Sequence, residues 1–357
     1  MRTLVCVVAV LLSACSGSGD KEPAAQGGAS SAGGGSGGSN NARGGTSARG
    51  GSPSANGGSQ NPSGGATNQP GGGSLEDCPI FPADNPWNQD VSALPVHARS
   101  NAYIDSIGRT DRVHPDFGTE WEGAPIGIPY VVVGASQPKV PIRFTAYGDE
   151  SDEGPYPVPS DAPIEGGPDS DGDRHVLVIE TGTCTLYELF RAFPRNGGSS
   201  YDADSGAKFD LRSNAQRPLG WTSADAAGLP IFPGLVRYDE IVEQGELRHA
   251  LRFTVSRSQA ARIAPARHFA SSNTDANLPP MGLRLRMKQA YDCGSYSAVA
   301  QTVCRGLKRY GMILADNGSD WYISGSPDPR WDDDALNDLK RIPGDAFEAV
   351  ETGPVEK

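Results

Sequence analysis

Few residue types can move protons, and here they cluster in identifiable strings. Four of the five histidines sit in His114-Pro-Asp-Phe-Gly, Asp-Arg-His175-Val-Leu-Val, Arg-His249-Ala-Leu-Arg-Phe-Thr and Ala-Arg-His268-Phe-Ala-Ser-Ser. Tyr187 and Glu188 lie mid-strand in LYELF, and Asp239 and Glu240 follow in LVRYDE. General acid–base chemistry needs groups whose pKa burial and neighbouring charges move toward neutrality. We therefore expect Glu188, with Asp239 or Glu240 and His268, to form the acid–base set. Arg252 and Arg284 are expected to face it from neighbouring strands and to grip substrate. Trp221 and Trp321, beside Gly, Asp and Asn, could stack on sugar faces while nearby carboxylates bind hydroxyls. The Asp316–Trp321 stretch reads as a loop.

Other chemistries lack their motifs. The body contains no HExxH, no Walker A and no GxSxG, so zincin, NTPase and serine-hydrolase mechanisms have no support. Asp169, Asp171, Asp173 and Glu180 echo part of a calcium loop, but Arg174 stands where the sharp turn needs glycine. The run reads as an acidic turn, and no metal ligands are assigned. Nothing in the sequence names a cofactor.

The elements that position these residues read as mostly β. Residues 128–133, 140–146, 174–180, 185–193, 248–255 and 281–288 have strand length with β-branched or aromatic content. In the last, Met281, Leu283, Leu285 and Met287 alternate with Arg284, Arg286 and Lys288. One face is expected in the core and the charged face wet or lining a groove. The strands 185–193, 248–255 and 281–288 are expected in one sheet, whose charged side carries the site. Thr181-Gly-Thr183 predicts a hairpin. Ser297 predicts an N-cap for a helix over 298–310 stopped by Gly311, and 222–225 and 332–340 read as short helices. The expected class is β-rich α+β, with a β-sandwich or jelly-roll core and a few peripheral helices.

The chain ahead of this body is different. Of 357 residues, 46 are glycine, and about 20 of these lie between Ser16 and Ser74, where aromatics are absent. Residues 16–74 read as a disordered tether, on the order of 40–45 Å in root-mean-square span. Residues 1–15 hold Arg2, a short apolar run from Leu4 to Leu12, then Leu-Ser-Ala-Cys15. The run is too short to span a bilayer. Leu-Ser-Ala-Cys resembles the lipobox of bacterial lipoproteins, which implies lipidation of Cys15, and Ser16 after it favours the outer membrane. Residues 75–357 form the third part, a single globular domain.

The net charge is −12, from 31 Lys plus Arg against 43 Asp plus Glu. Up to Ser74 there are four cations and two anions, so the body carries 27 positive and 41 negative charges, or −14. Nucleic acid is excluded as a partner on this balance. The partners expected are a lipid bilayer, through the anchor, and a polysaccharide. Export and four body cysteines predict two disulfides. Cys293 and Cys304 have ten residues between them across a loop into a helix, so they pair, leaving Cys78 with Cys184.

From about Cys78 onward, FPADNPWN, HPDFG, APIEGG, DRHVLV, GWTSADAAGLPI, GLVRYDE, HALRFT, ARHFASS, LPPMGLRLR and YGMILADNG resemble an uncharacterised family of secreted bacterial and fungal proteins. The resemblance implies export and transfers no residue roles. The function expected is a lipid-anchored, glycan-cleaving hydrolase or lyase at the cell surface. The alternative is a non-catalytic glycan- or envelope-binding lipoprotein on the outer membrane.

Overall fold

Strands that are buried along their whole length need cover on both faces, and that requirement organises the body. The structure is a computed structural model, and it describes Leu75 and residues 78–357. The leader, Cys15 and the tether lie outside the described residues. Val176–Glu180, Leu251–Val255 and Arg284–Met287 are buried at every position. They belong to two mixed sheets. The larger has six strands in the order His114–Asp116, Tyr322–Ser324, Leu251–Val255, Met312–Asn317, Arg284–Met287, Phe347–Ala349. The smaller has four, in the order Ser205–Asp210, Thr185–Phe190, Val176–Glu180, Tyr130–Val133. Three short strands, Ile142–Phe144, Ser200–Ala203 and Phe193–Arg195, make a further sheet.

The protein is thus strand-rich with few helices, a β-rich α+β fold. Its sheets are mixed: Leu251–Val255 runs parallel to Met312–Asn317, and Tyr130–Val133 runs parallel to Val176–Glu180. A jelly roll is built from antiparallel strands, so these pairs depart from that expectation.

Local signals that carry their own hydrogen bonds give the expected elements. Glu180 pairs with Thr185 across the hairpin. The helix Ala298–Arg309 begins at Ser297, whose hydroxyl accepts from Ala300 N at 3.3 Å. It stops before Gly311, at φ +66°, where a Cβ would sit 2.1 Å from the Leu285 carbonyl oxygen. Asp332 caps a short helix, Asp333–Leu336, which tightens into a 3-10 turn over Asn337–Arg341. Both disulfides pair as expected, Cys78 with Cys184 and Cys293 with Cys304, at Cα separations of 5.4 and 6.6 Å.

Three expectations are corrected. Thr185–Phe190 lies in the smaller sheet, whereas Leu251–Val255 and Arg284–Met287 lie in the larger one with Met312–Asn317 between them. Thr222–Asp225 is a polar turn, because Ser223 Oγ donates to the Leu229 carbonyl at 2.6 Å and accepts from Asp225 N at 2.9 Å. Arg284 and Arg286 are buried, although they do face away from the methionines. The segment Pro86–Leu94 covers them. Arg284 donates to the carbonyls of Tyr310 (2.6 Å), Pro86 (2.9 Å) and Gln89 (3.3 Å). Arg286 donates to those of Val91, Ser92 and Leu94 and pairs with Glu348. These guanidiniums satisfy carbonyls of a turn-rich segment that belongs to no strand.

Candidate acid–base site

Arg252 is the centre of a buried charge network to which both sheets contribute. It projects from the middle of the larger sheet, and its Nε and Nη2 donate to the two oxygens of Asp225 at 2.8 and 2.7 Å. This forked geometry suits a carboxylate. Nη2 also reaches Asp316 at 3.1 Å, and Nη1 donates to Ser324 Oγ at 2.6 Å. Asp316 sits at the end of Met312–Asn317, alongside Leu251–Val255 in parallel. Asp225 is held on the polar turn described above.

Asp225 and Asp316 both accept from Arg252 Nη2, at 2.7 and 3.1 Å, which brings the two carboxyls together. Burial raises the Asp316 pKa well above the usual carboxylate range, and the Asp225 charge adds to it, with Arg252 opposing. The Asp225 side chain is fully buried, but that of Asp316 is 20% exposed. Both line a cleft of about 170 Å³ with His268, Tyr147, Ser205 and Thr222. His268 Nδ1 meets the Ala226 carbonyl at 2.7 Å. A carbonyl can only accept, so Nδ1 carries the hydrogen and Nε2 of the neutral ring is the basic nitrogen. A carboxyl and an imidazole therefore share one cleft.

The smaller sheet supplies the supports. His175 Nδ1 lies 2.6 Å from Glu165 Oε2, and its Nε2 lies 3.0 Å from the Ala224 carbonyl. Both ring nitrogens face acceptors, the arrangement of an imidazolium. Burial disfavours that charge, but Glu165 overcomes it and lifts the pKa to about 9. His175 thus anchors the residue preceding Asp225. Glu188 is buried, and its oxygens accept from Ile231 N and Phe232 N, each at 2.9 Å. Burial pushes its pKa up to about 7 against those two amides, with Asp225 contributing.

The sequence-predicted residues fall into separate sets. Glu188 stands with Asp225 and His175, and His268 shares the cleft of Asp225 and Asp316. Asp239 and Glu240 begin a π-helical segment, Asp239–Gln244. There Glu240 is bonded to Arg237 and lies 3.1 Å from His249 Nε2. Arg252 joins the network, whereas Arg284 binds backbone carbonyls. Trp221 is partly exposed next to Thr222, with the Arg217 guanidinium 5.6 Å from its ring. Trp321 is fully buried, donates to the Gly108 carbonyl at 2.8 Å and stacks on Phe347. Among the described residues, no group of three or more His, Cys, Asp or Glu could hold a metal ion, and no helix is long and apolar enough to cross a membrane.

Sequence reasoning missed the pairing of Asp225 with Asp316. One signal was present: Met312-Ile-Leu-Ala is an apolar run ending in an acid, and ligand sites gather at the carboxyl ends of parallel strands. Comparison with family models, with curated proteins and with solved structures finds no match for this chain.

Proposed function

We propose that this is an exported, lipid-anchored enzyme of the outer membrane that cleaves a glycan by general acid–base catalysis. The observation that carries the reading is the Asp225–Asp316 carboxyl pair opening on a cleft that also holds His268. Asp316 gives its proton to the leaving oxygen as the glycosidic C–O bond breaks. His268 Nε2 takes a proton from the water whose oxygen forms the new bond to the anomeric carbon. Arg252 holds both acids in register, and the cleft, smaller than the ~300–1,000 Å³ typical of ligand pockets, admits a chain end. Lipidation at Cys15 and a Gly/Ser tether supply attachment and reach. For the architecture we favour a sandwich-like packing, supported by the contribution of both sheets to one buried network.

Reducing-end release from a set of soluble polysaccharides tests the reading. Asp316→Asn keeps an acceptor for Arg252 but cannot deliver the proton, and it is expected to lower turnover ~10²–10⁴-fold. His268→Ala should do the same. Turnover unchanged in both variants would refute the assignment. Glycan binding without turnover by the wild type would favour the non-catalytic lipoprotein instead.

A further inference from the structure

A second, larger cleft of about 740 Å³ lies between the edge strand His114–Asp116, the hairpin Glu120–Trp121/Ala124–Pro125 and the turn Asp333–Arg341. Its size falls in the range of pockets that enclose a ligand of several rings. Its walls follow from sheet register. His114 pairs with Tyr322 in the parallel ladder, so the two rings stack, 4.1 Å between centroids and 16° between planes. The hairpin turns through Glu122 and Gly123, both at positive φ (53° and 83°), a type I′ geometry that keeps a two-residue turn tight. It lifts Trp121 to 72% exposure. Asp333 fixes the hairpin base by accepting from Thr119 N at 3.0 Å and from the Thr119 hydroxyl. A large apolar ring is thus held in water on an anchored support beside a flat two-ring surface.

Polar groups complete the cleft. Asp116, two residues along the strand from His114, puts a carboxyl on the same side of the cleft, its pKa raised by burial and then by Glu165. Burial, with Lys340 nearby, lowers the His114 pKa and keeps its ring neutral. Glu120 and Asn337 supply further acceptors and donors. The acids Asp116, Glu120 and Asp333 outnumber Lys340, on a body that is itself strongly acidic. Aromatic faces against ring C–H groups, with carboxyls and an amide for hydroxyls, are the chemistry of sugar recognition. The charge balance repels polyanions.

We infer that this cleft binds an uncharged glycan chain, with Trp121 and the His114–Tyr322 pair stacking on sugar rings. The inference stands without the catalytic reading, since it requires binding and not turnover. The two sites do touch one network: Asp116 pairs in register with Ser324, whose hydroxyl receives Arg252.

Affinity electrophoresis and calorimetry of the full chain can decide. The ligands are a soluble mixed-linkage glucan, a xylan, a galactomannan and, as the polyanion, polygalacturonate. The expected result is binding to at least one uncharged glycan. It should weaken at least tenfold in Trp121→Ala and in Tyr322→Ala, and be retained in Asp316→Asn. Trp121 is so exposed that its removal leaves the fold intact, which matching melting curves would verify. Binding to none of the uncharged glycans, binding to polygalacturonate alone, or binding unchanged in both aromatic variants would overturn the inference. Binding lost in Trp121→Ala but kept in a turnover-dead Asp316→Asn separates it from the acid–base proposal.

Discussion

Replacing Glu188 with glutamine should remove a fall in stability that the wild-type protein shows between about pH 4.5 and pH 7. The carboxyl is buried, and its pKa rises from 4.5 to about 7 on folding. Below the lower value both states are protonated, and above the upper value both are ionised. Between them only the folded protein keeps the proton. The folded state then binds more protons than the unfolded one, so stability drops as pH rises through this window. At ~1.4 kcal/mol per pH unit, the loss amounts to about 3 kcal/mol. Glutamine retains an oxygen for Ile231 N and Phe232 N but does not titrate. Urea unfolding of both proteins at pH 4, 5, 6, 7 and 8 measures the difference directly. The variant should gain about 3 kcal/mol on the wild type between the extremes. His175, raised from 6.5 to about 9, contributes its own loss between those values in both proteins and cancels in the comparison. A difference that stays constant with pH would refute the placement of a proton on buried Glu188.

Arg252→Met should cost ~3–5 kcal/mol, because it leaves buried Asp225 without its cation; adding Asp225→Asn should recover part of this, and a loss below ~1 kcal/mol in urea melts would contradict the central role of Arg252. The two disulfides close loops with sequence separations of 106 and 11 residues. Loop entropy alone then makes removal of Cys78–Cys184 costlier than removal of Cys293–Cys304 by about 2 kcal/mol, and equal midpoints for the paired serine variants would count against that ranking.

The fold was readable where the signal is local. A serine followed by a stripe of apolar residues and a glycine stop marked the helix Ala298–Arg309, because capping and periodicity need only neighbours in sequence. The expected strand over 281–288 is broken at Gly282, φ +82°, which leaves Met281 in a separate two-stranded pairing, but the alternation holds along Arg284–Met287. It could not tell what covers the other face. Pro86–Leu94 lies about 195 residues away along the chain, and the arginines that looked solvent-facing are buried against its carbonyls. The same limit misplaced Thr185–Phe190: strand length and composition predict that a strand exists, not which sheet it joins.

The site was less legible, and the reason is its construction. Glu165, His175, Glu188, Asp225, Arg252 and Asp316 come from separate segments, and no two occupy a motif spacing. Each was ambiguous alone. Asp225 lay in a stretch read as a short helix, Asp316 in a stretch read as a loop although it and Asn317 end the strand Met312–Asn317, and Glu188 alternated onto an apolar face. Only the parallel pairing of Leu251–Val255 with Met312–Asn317, and the turn that carries Asp225, bring the two acids together at Arg252. The histidines followed the same logic. His268 was selected, but its usefulness depends on the Ala226 carbonyl fixing its tautomer, a contact 42 residues distant. His114 drew attention for its HPDFG string, whereas its partner Tyr322 becomes visible only through the parallel register of the edge strand with its neighbour. Residue type named the chemistry available to this chain; long-range register decided which of those residues could meet.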